Sequence, residues 1–212
     1  MDLTVAHQFD DAEQQQEAST LGMWIFLATE ILFFGGMFLG YTIYRAMYPQ
    51  EFAAASRHLD VVFGTVNTAV LLCSSLTMAL AVHSAQLGSR RMLVLFLGLT
   101  MLLGAVFLGI KFYEYYQKYE EGLIPGAGFT WAGPNPNQTS LFFVFYFIMT
   151  GMHALHMVIG LGLMTVLVLL TRRGRFTPSY YTPVELGGLY WHFVDIVWVF
   201  LFPLLYLIDR SS

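Results

Sequence analysis

Charge is scarce in this sequence. Asp, Glu, Lys and Arg make up 11% of its 212 residues, where a soluble domain carries about a quarter. A water-exposed globule of ordinary composition is therefore excluded. Lys and Arg number ten against fourteen Asp and Glu, for a net charge of -4. No basic run suggests a nucleic-acid surface. Cysteine is nearly absent as well. The one cysteine, Cys73, lies inside an apolar run, so there is neither a disulfide framework nor a Cys-based metal motif. Lys and Arg are missing from the first twenty residues, which hold Asp2, Asp10, Asp11, Glu13 and Glu17 instead. A secretory leader needs a basic segment followed by a short apolar run. Residues 1–20 thus read as a polar, Gln-rich tail, mobile and uncleaved.

What fills the space is apolar. Hydrophobic residues make up 57% of the chain, aromatic ones 17%, and the mean hydropathy is +0.60. Crossing ~30 Å of hydrocarbon takes about 20 apolar residues as a helix. Five stretches qualify, at about 21–46, 60–87, 91–118, 139–171 and 184–209. Lipid offers the backbone no hydrogen-bond partner, so these are helices. A membrane barrel would need short alternating strands instead. The reading is an all-α, polytopic membrane protein with one transmembrane domain over 21–209. Its connections are short except for EEGLIPGAGFTWAGPNPN, whose three prolines and four glycines read as an ordered surface loop. No internal repeat is visible.

Loop charges orient such a chain. With the N-terminus inside, the inner side holds Arg90, Arg91, Arg172, Arg173 and Arg175. The outer side holds Arg45, Arg57, Lys111, Lys118 and Arg210. The counts tie, but the inner charges are clustered in two short loops. That favours N-inside, C-outside.

Several polar residues stand inside the spans. Glu30 interrupts WIFLATEILFFGG. An acid in hydrocarbon is costly and should face the bundle, paired or protonated. It reads either as a proton-handling or lipid-gating group, or as an acid bonded to a neighbouring helix. Gly35, Gly36 and Gly40 follow it and suit close helix approach. His153 and His156 are three apart, as are His192 and Asp195, so each pair projects from one side of its helix. Imidazole and carboxylate at such spacing can ligate a metal, and a bis-histidine haem between the fourth and fifth spans is conceivable. A di-iron bundle site would need more carboxylates. The alternative is polar contact between helices. Lys111 and Glu114 sit one turn apart at the end of the third span, where Tyr113, Tyr115, Tyr116 and Tyr119 read as an interfacial aromatic belt. A lipid headgroup site is the other reading there. Asn67 is expected to hydrogen-bond across helices, and Ser74, Ser75 and Thr77 suit helix packing. Cys73 reads as packing. Trp131, in the long loop, either meets a partner or caps the bundle.

Taken together these segments resemble subunit III of the haem–copper oxidases. The resemblance runs from about Leu21 to Asp209. It rests on Tyr190-Trp191-His192-Phe193-Val194-Asp195-Ile196-Val197-Trp198, and on Thr150-Gly151-Met152-His153-Ala154-Leu155-His156. Val66-Asn67-Thr68, Phe112-Tyr113-Glu114-Tyr115 and Gly22-Met23-Trp24 followed by Glu30 complete it. The resemblance implies a short, five-helix bacterial form lacking the first two helices of longer members. It implies a cofactor-free chain packed on oxidase subunits I and II. Haem and copper would be carried by subunit I and copper by subunit II. A cleft would hold bound phospholipids, and the chain would support proton uptake. Glu30 would be the family's membrane-buried glutamate. Asn67, Glu114, His153, His156, His192 and Asp195 would be polar bundle contacts that ligate no metal. The place would be a bacterial inner (plasma) membrane, within a respiratory complex or a larger supercomplex. The Glu30 segment looks closer to cytochrome c oxidases than to quinol oxidases or nitric-oxide-reductase accessory proteins. A membrane transporter is the rival from another class, although it would favour internal repeats and broken helices. A haem- or metal-binding membrane enzyme is a second.

Overall fold

The computed structural model describes residues 8–126, 128–178 and 180–208. Asp209 and Arg210, which figured in the sequence reading, lie outside them. The described chain is helical: α1 (Ala12–Met47), α2 (Pro49–Ser56), α3 (Val61–Gln86), α4 (Arg90–Glu120), α5 (Pro136–Arg172) and α6 (Thr182–Tyr206). All but α2 are long and apolar enough to cross a membrane.

The helix ends follow local chemistry. Asp11 caps α1 by accepting from the Gln14 backbone N–H at 2.8 Å, and Asp60 caps α3 through Val62 N–H at 2.8 Å. Proline stands in the first turn of α2, α5 and α6, where its missing N–H costs nothing. The Asp11 cap accounts for one departure from expectation. The polar stretch before residue 21 is helical from Ala12 onward, because AEQQQEA is rich in good helix formers and opens on a cap. At the other end α6 stops at Tyr206, one turn after the internal Pro203.

The element missing from the sequence reading is α2. Eight residues are too few to register as a span. In the structure Phe52, Ala53, Ala55 and Ser56 are buried, and α2 packs on α5.

The remaining helices divide into a bundle and an outrigger. α3 lies against α4 and α6, and α5 closes the ring by touching the same two. α1 leans chiefly on α2, α5 and α6. Within the most apolar stretch of α6, 56% is buried, against 11% for α1. So α6 is the centre of the fold and α1 its rim. Trp191 and Trp198 of α6 are fully buried. Trp191 fits because Gly104 and Gly160 face it. A Cβ on either glycine would come within 2.8 Å of the indole.

Candidate functional site

Among the described residues, the singled-out polar side chains gather at three places in the membrane domain. The first joins α1 to α5. Glu30 Oε2 and His156 Nε2 are 3.1 Å apart. The other ring nitrogen, Nδ1, lies 2.8 Å from the Met152 carbonyl oxygen, so Nδ1 must carry hydrogen. That leaves two isoprotonic arrangements of the pair. Either a neutral imidazole accepts from a protonated Glu30, or an imidazolium donates to the carboxylate. A proton can change sides without changing the net charge of the site. Phe34 packs edge-on against the imidazole at 5.2 Å, and Tyr190 Oη donates to the His156 carbonyl at 3.0 Å. The Glu30 side chain stays 19% exposed, so the pair opens toward the outside of the chain.

The second place is sealed. Lys111 Nζ donates to Glu114 Oε2 at 2.9 Å, Tyr146 Oη at 3.0 Å and Tyr206 Oη at 2.8 Å. Tyr206 in turn donates to Glu114 Oε1 at 2.7 Å. Rings of Tyr115, Tyr146, Trp198 and Tyr206 surround the ammonium at 4.9 to 5.5 Å, a cation–π enclosure. Lys111 and Glu114 are 3% and 1% exposed. The expected membrane-surface pair is therefore a buried staple joining α4, α5 and α6. The expected tyrosine belt is divided as well. Tyr113, Tyr116 and Tyr119 are exposed, but Tyr115 turns inward to bond Thr150. The sign in the sequence was the i,i+3 Lys–Glu pair amid aromatics. Its burial came from Tyr146 and Tyr206, far away along the chain.

The third place is the core of the four-helix ring. Ser75 bonds His192 Nδ1 at 2.7 Å, and Trp191 Nε1 donates to Ser74 at 2.9 Å. Trp198 Nε1 donates to Thr68 at 3.1 Å, and Thr77 bonds Thr100 at 2.8 Å. His153 is wedged between Phe107 and Trp198, with ring centroids 5.4 Å away on each side. Its two ring nitrogens, both Asp195 carboxylate oxygens and the Asn67 amide are buried without a hydrogen-bond partner among the described residues. The cross-helix bond expected of Asn67 is thus absent among the described residues. Ser75 stands near Asp195 but bonds His192.

The two histidines of α5 do not act together. His156 turns to α1, and His153 turns to α4 and α6. Among the described residues, no three His, Cys, Asp or Glu side chains gather as a metal site would require. Cys73 is exposed on the outside of α3 rather than packed. Trp131 packs at a tilt against His58, with centroids 4.8 Å apart, and reaches Phe143, so within the chain it caps the end of the bundle.

Comparison with known proteins identifies the family. A family model described as cytochrome c oxidase subunit III matches residues 4–209. The chain belongs to the cytochrome c oxidase subunit III family. It is 32% identical over 202 residues to cytochrome c oxidase subunit 3 of Thermostichus vulcanus, covering 95% of this chain and 92% of that one. It is 34% identical over 192 residues to cytochrome c oxidase subunit 3 of Corynebacterium diphtheriae, covering 90% and 88%. It is 32% identical over 198 residues to quinol oxidase subunit 3 of Bacillus spizizenii, covering 91% and 88%. The family is that of subunit III of the haem–copper oxidases, and the relatives include both cytochrome c and quinol types. As a family member with five spanning helices, the chain is a multi-pass membrane protein.

Proposed function

We propose that this chain is the non-catalytic third subunit of a proton-pumping terminal oxidase of the cytochrome c type. It sits in a bacterial inner membrane with its N-terminus cytoplasmic. It packs on subunit I and assembles with subunit II, and those partners hold the haem and copper. It stabilises subunit I, binds phospholipid along its uncovered α1 face and supports proton uptake. The observation that carries this reading is the half-open Glu30–His156 pair. It is an acid at the rim of the membrane domain, matched to one base and open on one side. Such a pair can hand a proton between oxygen and nitrogen while the site's total charge stays constant. A rim acid on a loosely held helix also suits a surface where lipid and subunit I meet.

Replacing Glu30 by Gln keeps size and hydrogen bonding but removes the exchangeable proton. The Glu30→Gln oxidase should assemble normally, turn over more slowly at high pH, where proton uptake limits, and inactivate faster during sustained turnover. Normal turnover together with a normal inactivation rate would refute the proposal. Purification of the complex in mild detergent with an optical spectrum tests the wider assignment. The haem bands should leave with the larger subunits, and the stripped chain should be colourless.

A further inference from the structure

Three polar residues inside the ring stand apart from their neighbours. Of the seven buried side-chain nitrogen and oxygen atoms left without a hydrogen bond among the described residues, six belong to Asn67, His153 and Asp195. Those six are all the polar side-chain atoms that the three residues carry. Asn67, His153 and Asp195 are 0%, 1% and 3% exposed. Groups buried that deeply are almost always bonded to something. The polar groups around them are already committed. Ser74 holds Trp191, Thr77 holds Thr100, and Ser75, though near Asp195, bonds His192.

The three come from α3, α5 and α6, yet they meet around one indole. His153 lies against the Trp198 ring, with centroids 5.4 Å apart. Trp198 Nε1 donates at 3.1 Å to Thr68, the chain neighbour of Asn67. Asp195 stands about one turn before Trp198 on α6, and both are buried. Asn67 shares a buried stripe of α3 with Leu71, Ser74 and Met78. Ser74 in turn bonds Trp191, which lies on the stripe of α6 that carries Asp195. Both stripes therefore look into the ring.

We infer that Asn67, His153 and Asp195 form a binding site for internal water, which bridges α3, α5 and α6 in the core of the ring. The burial and the donor set select this ligand. A lipid or a side chain of another subunit does not reach groups so enclosed. The Asn67 amide both donates and accepts, the imidazole always has a donor, and the carboxyl always has an acceptor. Water meets all of these, since it gives and takes hydrogen bonds at once. A metal ion would leave the Asn67 N–H groups unbonded, and no three His, Cys, Asp or Glu side chains gather among the described residues. The site is separate from the Glu30–His156 pair, so either assignment can fail without the other.

The test uses the assembled oxidase. Cryo-electron microscopy at a resolution that shows ordered water should find density at hydrogen-bonding distance, about 2.7–3.2 Å, from at least two of the three side chains. X-ray footprinting is a second readout, because bound water releases hydroxyl radicals where it sits. His153 and Trp198 should be oxidised. Met164, fully buried on the same helix as His153, should stay unlabelled despite its reactive thioether. Melting in detergent gives a sign. Asn67→Leu takes a partner from the bound water and should lower the melting temperature. In a dry core the same change would remove two unbonded polar atoms and raise it. Asp195→Leu should also lower it, and the double variant should lose less than the two single losses together, because both act on shared water. If a variant fails to assemble, the density and the footprint of the unaltered oxidase still decide. Direct bonds among the three side chains with no density between them would overturn the inference. So would a raised melting temperature in Asn67→Leu, or a His153 as protected as Met164. Density about 2.0–2.2 Å from His153 or Asp195 would mark a metal ion and overturn the water assignment.

Discussion

Two glutamates in spanning helices each face one basic residue, yet they live in different structures. Glu114 is 1% exposed and held by a lysine and a tyrosine inside the four-helix ring. Glu30 is 19% exposed and held by one histidine at the rim. The difference is not in the residue but in how many helices surround it. A charge sealed on all sides is bound by its partners, since losing one leaves the other stranded in a low dielectric. A charge at the rim can turn outward, relax and exchange its proton. The first suits architecture and the second suits traffic.

The sharpest way to break the comparison is Lys111→Met. It leaves Glu114 buried without its counter-charge and should cost about 3–5 kcal/mol. The readout is loss of the subunit from the purified complex, or a large drop in its melting temperature in detergent. Adding Glu114→Gln to Lys111→Met should recover most of that loss. If the single and double variants behave alike, the staple is not an electrostatic unit. Gly160→Ala comes next. Its new methyl group meets Trp191 and should destabilise by about 1–3 kcal/mol. Gly36→Ala, on the open side of α1 where a Cβ meets nothing, should instead be neutral or mildly stabilising, by up to about 1 kcal/mol. Equal melting shifts in the two would erase the distinction between ring and rim. Smallest is His156→Gln, which removes the base opposite Glu30. Membrane polar contacts average about 0.6 kcal/mol, so its melting temperature should barely move, whereas proton-linked turnover should fall as in Glu30→Gln.

Much of the architecture was legible before any fold was known. Five apolar runs were visible because a spanning helix must satisfy its backbone within itself, and this makes each run a local signal. The eight residues of α2 were invisible for the same reason. Contact with α1 and α5 is what buries its Phe52. At the candidate site the residue types were legible and their pairings were not. Three-residue spacing puts two side chains about 60° apart on a helix. That is enough for His153 and His156 to face different neighbours once α1, α4 and α6 are in place. Lys111 looked like a surface residue because its helix end is rich in tyrosine. Its cage is completed by Tyr146 and Tyr206, thirty-five and ninety-five positions away.

Composition and run length by themselves determined that the chain spans a membrane five times, because the cost of exposing peptide groups to hydrocarbon is paid segment by segment. Its ordered motifs determined the family. Tertiary structure alone decided which acid is sealed and which stays open, and which histidine meets Glu30. Burial and charge are properties of the neighbours a side chain acquires, and those neighbours come from helices far apart in the sequence.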